Sequence, residues 1–387
     1  MKILITTDWY EPAINGVVAS VCALAQALRA RGHEVRILTL SGTHHSHSRG
    51  DVFYAASLGV GRIYPGARLR LPDIGRSWRA LVRWQPDIVH SQCELSTFSL
   101  ARKIAAALDV PLVHTYHTLY EDYTHYFSLR RDWGLRMVRR MTERLSLAVS
   151  AIVVPSEKMS RRLLTSGVDC PLYVVPSGIN LAAFAGKGDR EQVRARYGVQ
   201  PQETLLLYLG RLAREKNVAE LLTLAAQAPD VRLLLVGDGP ARGDLEAQAA
   251  ALHLNERVQF AGMVAPENVA QYYQAGDLFV SASTSETQGL TYGEALASGL
   301  PLLCRADPCL QGVVTPGENG WTYENAAQFL ARLRQWQALD EDARTAMCQA
   351  ARTSAQPFST ATFGAHMEQV YGEVLQEHER RRGRHVG

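Results

Sequence analysis

The sequence predicts an α/β protein of two domains, each a parallel sheet wrapped by helices, and three observations carry that expectation. The chain has 387 residues, which is long for one domain and comfortable for two. Its first half alternates short apolar strands with amphipathic helical stretches. The same rhythm restarts after a change of composition at PSGINLAAFAGKG, residues 176–188. The expected architecture is two Rossmann-like domains facing across a cleft. Residues 1–180 form the first and 181–361 the second, and a C-terminal helix over about 362–387 crosses back to the first.

Each element follows from local pattern. Residues 2–7 (KILITT) read as a buried first strand, and 17–30 as an amphipathic helix that stops before Gly32. Further strands are expected at 33–40, 88–91 and 111–115. In the second half, strands at 205–208, 231–236, 258–261, 278–281 and 300–304 alternate with helices at 218–228, 241–252, 267–275 and 292–298. Strand–helix alternation of this kind implies parallel sheets covered on both faces. A last helix is expected from about residue 362 to 380, with the HERRRGRHVG end frayed.

Composition narrows the function classes. Hydrophobic residues make up 47% and charged residues 20%, ordinary for a globular protein. No apolar run reaches the roughly 20 residues needed to span a bilayer. MKILITTDW reads as a strand, since a leader peptide needs a longer apolar stretch and a small-residue cleavage site; a cytoplasmic location is expected. The six cysteines include no C-x-x-C pair and read as small hydrophobes. His44, His45 and His47 read as a solvated loop, with no regular element to hold a metal between them. Net charge is +3, divided unevenly: residues 1–180 hold 22 Lys and Arg against 14 Asp and Glu, the remainder 19 against 24. The basic half favours anionic surfaces. No nucleic-acid partner is expected.

Four stretches can carry chemistry. In SETQGLTYGEALASGLP, residues 285–301, Gly289 permits close backbone approach, and the helix that follows offers free N–H groups and a positive dipole end. A diphosphate fits against Leu290 and Thr291. Glu286 can accept from sugar hydroxyls, and Glu294, one turn into the helix, from a ribose. In GRLAREKN, residues 210–217, Arg211 and Lys216 follow a strand, at the edge where open α/β sheets bind ligands. Two cations there can neutralise a departing diphosphate. DWYEPAING, residues 8–16, brings Gly16 to a helix start and is another place where backbone N–H groups can meet phosphate. It lacks the G-x-G-x-x-G fingerprint of dinucleotide oxidoreductases. The later VGDGPARG reads mainly as a tight strand–helix turn. HTYHTLYEDYTHYF, residues 114–127, mixes imidazoles with tyrosine rings at a strand end, and His117 is its best candidate to touch a reacting sugar or acceptor.

GRLAREKN, followed in order by a glutamate, seven residues and a second glutamate, resembles the retaining family-4 glycosyltransferases across essentially the whole chain. The resemblance implies the GT-B fold, with a nucleotide sugar held mainly by the second domain and the acceptor by the first. It also implies roles: Arg211 and Lys216 on the diphosphate, Glu286 on the donor sugar, Glu294 on the ribose, Gly16 near the phosphates and His117 near the transferred sugar. Gln288 stands where the family commonly has Phe, which bears on local packing. HTYHTLYEDY and ETQGLTYGEALASG are similar to bacterial 1,2-diacylglycerol 3-glucosyltransferases. That similarity implies UDP-glucose as donor, diacylglycerol as lipid acceptor, an α-glucosyl product and no metal cofactor, fixed cations serving in a metal's place.

The expected partners, besides donor and lipid, include an anionic membrane surface on the inner face of the cell membrane. From residue 129 to 148, Trp133, Met137, Met141, Leu145 and Ala148 recur at helical spacing among Arg131, Arg136, Arg139, Arg140 and Arg144. Such a helix lies at an anionic interface or packs its apolar stripe on the core. RIYPGARLRLP, residues 62–72, adds three arginines among aliphatic neighbours. Two other readings stay open: the same enzyme class acting on a saccharide or other cell-envelope acceptor, and a non-hydrolysing nucleotide-sugar epimerase, which shares the two-domain plan but needs no acceptor.

Overall fold

A computed structural model of the chain describes residues 1–60, 68–71, 75–120, 131–186 and 188–386. The chain divides into two compact units, Met1–Gly178 together with Thr360–Gly387, and Ile179–Ser359. Residues 62–67 and 72 of the arginine-bearing RIYPGARLRLP and 121–127 of the aromatic motif lie outside the described residues.

The first unit opens with β1 (Lys2–Thr6), α1 (Gly16–Ala30) and β2 (Glu34–Leu40). Three short strands follow, β3 (His47–Arg49), β4 (Val52–Ala55) and β5 (Ser57–Gly59), and then β6 (Arg68–Arg70) and α2 (Gly75–Trp84). Next come β7 (Ile88–Ser91), α3 (Ser96–Leu108), β8 (Leu112–Thr115) and α4 (Arg131–Ser146). The run closes with β9 (Ala151–Val154), α5 (Glu157–Thr165) and β10 (Leu172–Val174). Its main sheet has the order β10-β9-β8-β7-β1-β2-β4-β3, parallel except for the edge strand β3, and β5 and β6 pair as a small antiparallel ribbon. Because helices cover both faces, a strand such as β9 (AIVV) is apolar throughout and buried at every position. His47, expected in a loop, instead begins β3, where its ring stacks on Tyr54 across the ladder.

The second unit starts with two short helices, α6 (Leu181–Ala185) and α7 (Arg190–Arg196), before β11 (Thr204–Leu209), α8 (Val218–Ala226) and β12 (Val231–Val236). Alternation continues through α9 (Arg242–Ala251), β13 (Val258–Gly262), α10 (Val269–Ala275), β14 (Leu278–Ser281) and α11 (Leu290–Ala297). β15 (Leu302–Arg305), β16 (Gly320–Tyr323), α12 (Ala326–Gln337) and α13 (Glu341–Ser354) complete it. All six strands are parallel, in the order β13-β12-β11-β14-β15-β16. The order reverses direction between β11 and β14, the switch point at which such sheets open a crevice beyond their carboxyl ends.

The last helix, α14 (Thr360–Val386), belongs to the first unit. Phe363, Met367, Val370, Tyr371 and Val374 recur every three or four residues and are buried in the same core as Ile3, Leu24 and Leu28. Each such side chain contributes about 1.5–3 kcal/mol on burial. The expected fraying of the chain end does not occur at 378–386. Arg381 Nε meets Glu377 Oε1 at 2.9 Å and Arg382 Nε meets Asp109 Oδ2 at 3.0 Å, so the helix runs on to Val386.

Helix α4 buries only part of the stripe its sequence suggests. Gly134, Val138, Thr142 and Leu145 face inward. Trp133 and Met137 are 54% and 41% exposed, on the same side as Arg136, Arg140 and Arg144.

Candidate active site

In the second unit the two predicted motifs meet because β11 and β14 pair side by side in parallel. The loop after β11 carries GRLAREKN and the loop after β14 carries SETQGL, so both leave the same edge of the sheet. Lys216 Nζ donates to Glu286 Oε1 at 2.7 Å, with side chains 18% and 17% exposed. Ser285 Oγ donates to the carbonyl of Glu215 at 3.0 Å, a second tie between the loops. Arg211 Nη1 lies 3.9 Å from Glu215 Oε1, and the Arg211 carbonyl accepts from the Tyr208 hydroxyl at 3.0 Å. Lys216 is thus largely sheltered and held by Glu286, while the Arg211 side chain remains 35% exposed beside Glu215.

A third loop, VGDG after β12, braces the first. Gly210 N donates to Val236 O at 2.9 Å, and Leu212 N to Asp238 O at 3.0 Å. A Cβ at Gly237, whose φ is +127°, would run into the carbonyl oxygen of Gly210. VGDGPARG is therefore more than a strand–helix turn: its glycine lets two loop backbones pack against each other.

The tip of α11 completes the edge. Gly289 is its N-cap residue at φ +74° and has no side chain of its own to cap the helix. A Cβ there would strike the Tyr292 ring as well as strain the backbone. Leu290 and Thr291 form the first turn, where N–H groups and the dipole favour an anion. Glu294, one turn along the helix, accepts from the Tyr273 hydroxyl at 2.7 Å. Burial pushes its carboxyl above the usual range, and the Tyr273 hydrogen bond works against that shift.

Gly16 and His117 belong to the first unit. Gly16 is the exposed first residue of α1, and Asn15 Oδ1 accepts from Val18 N at 3.0 Å, so this helix start, unlike that of α11, is capped by the side chain of its N-cap residue. The strand-to-helix loop before it is anchored by Asp8, whose carboxylate accepts from Ser96 N at 3.0 Å and Thr97 N at 2.7 Å. His117 follows β8 and is half-buried, with Nε2 at 2.7 Å from Gln92 Oε1. Burial pushes its imidazole down to about 4; Glu94 opposes this and His114 adds to it. His114 of the same motif is fully buried in β8, with Glu94 Oε1 at 3.4 Å. Gln92 and Tyr273, which orient His117 and Glu294, carry no charge and escape a sequence reading. Position just beyond β7 is the one signal that could have marked Gln92.

Comparison with known proteins identifies the family and the fold. The family described as Glycosyltransferase Family 4 matches residues 14–183, and that described as Glycosyl transferases group 1 matches residues 189–354. An alpha-monoglucosyldiacylglycerol synthase from Streptococcus pneumoniae is 35% identical over 338 residues, spanning 84% of this chain and 75% of that protein. A second protein of that name, from Acholeplasma laidlawii, is 29% identical over 98% of this chain and 99% of its own. Among solved structures, Anabaena HepE in complex with UDP and glucose superposes with a TM-score of 0.73 at 20% identity, over 96% of this chain and 100% of that one. Sucrose-phosphate synthase from Thermosynechococcus elongatus gives 0.74 at 22% identity, over 97% and 99%. The chain therefore belongs to glycosyltransferase family 4 and has the GT-B glycosyltransferase fold.

Proposed function

We propose that this glycosyltransferase moves glucose from UDP-glucose to the free hydroxyl of diacylglycerol, keeping the α configuration and working at the cytoplasmic face of the membrane. The observation that carries the donor half is the meeting of Lys216 with Glu286, at 2.7 Å, in the loop that leads to the glycine at the start of α11. Cations, a carboxylate and the backbone N–H groups of a helix start gathered at one sheet edge suit a sugar diphosphate. Arg211, Lys216 and the N–H groups of Leu290 and Thr291 take the charge that builds on the leaving diphosphate. Glu286 holds hydroxyls of the sugar and Glu294 those of the ribose, and the family resemblance gives Gly16 a role with the phosphates. The acceptor hydroxyl attacks from the face the diphosphate leaves, and the diphosphate takes its proton. Fixed cations make a metal ion unnecessary.

The acceptor half draws on the relatives' names and on the surface of the first unit. Trp133 and Met137 stand exposed among Arg136, Arg140 and Arg144 and border a groove of about 630 Å³ that also includes Phe98. Apolar rings among cations suit an anionic lipid interface. No described helix is long and apolar enough to cross a membrane, and the attachment proposed is through this face of α4. The test is product analysis from UDP-sugars offered with diacylglycerol vesicles and with saccharide acceptors, in the presence of EDTA. An α-glucosyl diacylglycerol formed despite EDTA supports the reading; a glycosylated saccharide or free isomerised UDP-sugar overturns it.

A further inference from the structure

Four side chains from separate parts of the first unit form one hydrogen-bonded line that ends at His117. Tyr371 comes from α14, and its hydroxyl lies 2.6 Å from Nδ1 of His90 on β7. The other ring nitrogen, His90 Nε2, is 3.1 Å from the amide nitrogen of Gln92 and 2.7 Å from Thr115 Oγ1. Gln92 Oε1 then lies 2.7 Å from His117 Nε2. Tyr371, His90, Gln92 and Thr115 are all buried.

The protons along this line are interlocked. Burial pushes the pKa of both imidazoles down, so each ring is neutral near pH 7 and has one N–H and one lone pair. An amide nitrogen only donates, so His90 turns the lone pair of Nε2 toward Gln92 and keeps its proton on Nδ1, where the Tyr371 oxygen accepts it. An amide oxygen only accepts, so His117 donates from Nε2. Its Nδ1 is left as the lone-pair nitrogen.

We propose that Tyr371 is a positioning residue: through His90 and Gln92 it holds His117 in the tautomer protonated on Nε2, presenting Nδ1 as a hydrogen-bond acceptor. The functional weight of this rests on the reading of His117 as a group near the transferred sugar; the tautomer itself does not. Without the Tyr371 hydroxyl, the buried His90 Nδ1–H loses its acceptor. The ring regains a partner by carrying its proton on Nε2 instead, donating to Thr115 Oγ1. That N–H faces the Gln92 amide, which turns over so that its oxygen accepts from His90 and its nitrogen donates to His117 Nε2. His117 then carries its proton on Nδ1. The C-terminal helix thus sets the chemistry of a side chain reached only through His90 and Gln92.

The experiment is long-range ¹H–¹⁵N spectroscopy of the full chain with labelled histidine, His117 being assigned from the signals lost in His117→Gln. The wild type should show a protonated Nε2 and a lone-pair Nδ1 on His117, and Tyr371→Phe should exchange the two. Gln92→Glu, whose carboxylate only accepts, should restore the wild-type pattern in the Tyr371→Phe background. Turnover of UDP-glucose with dioleoylglycerol vesicles should fall roughly 10- to 100-fold in kcat for Tyr371→Phe, with KM within about twofold, and Gln92→Glu should recover part of it. Should Tyr371→Phe fail to fold, Gln92→Leu should leave His117 as a mixture of tautomers. An unchanged His117 tautomer in either variant overturns the proposal. An exchanged tautomer combined with full turnover by His117→Gln upholds the relay and overturns only the place of His117 in the reaction.

Discussion

The ammonium of Lys216 and the carboxylate of Glu286 are joined at 2.7 Å although 70 residues separate them in sequence. Parallel pairing of β11 with β14 sets this distance, and both side chains are largely sheltered. In the proposed reaction the cation serves the diphosphate and the carboxylate the sugar. Lys216→Ala is therefore expected to lower kcat on the order of 100-fold, typical of removing one group that meets developing charge. Glu286→Gln should do likewise, and the double variant should fall short of the product of the two because the groups act together. Steady-state kinetics check this; unchanged kcat in Lys216→Ala contradicts the assigned role.

Glu294 offers a pH test. Its carboxyl is held above the usual range by burial, and the Tyr273 hydroxyl opposes that. Removing the hydroxyl in Tyr273→Phe raises the pKa further, so UDP binding that needs the carboxylate should fail at a higher pH than in the wild type. At neutral pH the affinity for UDP should drop on the order of tenfold, as for a lost hydrogen bond to a charged group. Calorimetric titration at neutral and mildly acidic pH measures both. Identical affinities at each pH would remove Glu294 from the nucleotide site.

His117 makes a prediction about stability. Burial lowers its pKa from 6.5 to about 4 in the folded chain, so the unfolded chain binds more protons between those values. The neutral ring's contribution is complete above about 6.5 and is lost as the pH falls toward 4; His90 is displaced in the same direction. His117→Gln should therefore flatten the decline of stability across that window. Denaturant unfolding at several pH values checks it, and parallel slopes for variant and wild type would contradict it.

The exposed face of α4 predicts membrane behaviour. Replacing Trp133 and Met137 together by Ser should weaken binding to anionic vesicles at every salt concentration. Replacing Arg136 or Arg140 by Gln should cost about 1 kcal/mol each, roughly fivefold in partitioning, and only at low salt. Vesicle co-sedimentation separates the two effects. Equal binding by wild type and all variants would leave α4 without a role at the interface.

Much of the fold is legible because buried parallel strands are written as apolar runs. VRLLLV is a strand on both the sequence and the structure, as is LFVS. β9 and β16 were not expected: AIVV sits inside a longer apolar stretch that hides its ends, and GWTY gains its strand character only from pairing with β15. On the site, charge and glycine spacing pointed to Arg211, Lys216, Glu286 and the start of α11, since those residue types have chemistry of their own. Gln92 and Tyr371 do not. Their meaning comes from β7 lying beside β8 and from α14 returning to the first unit, which no local pattern records. Helix α4 leaves two readings open in the sequence, and the structure divides its apolar residues between them: Leu145 is buried, while Trp133 and Met137 are left outside.

In the proposed reaction a sugar-linked diphosphate binds where the loops after β11 and β14 meet the tip of α11. A crystal structure of the protein with UDP tests it directly. The diphosphate is expected against Arg211, Lys216 and the backbone of Leu290 and Thr291, with the ribose on Glu294; a nucleotide bound away from those residues overturns the proposed site.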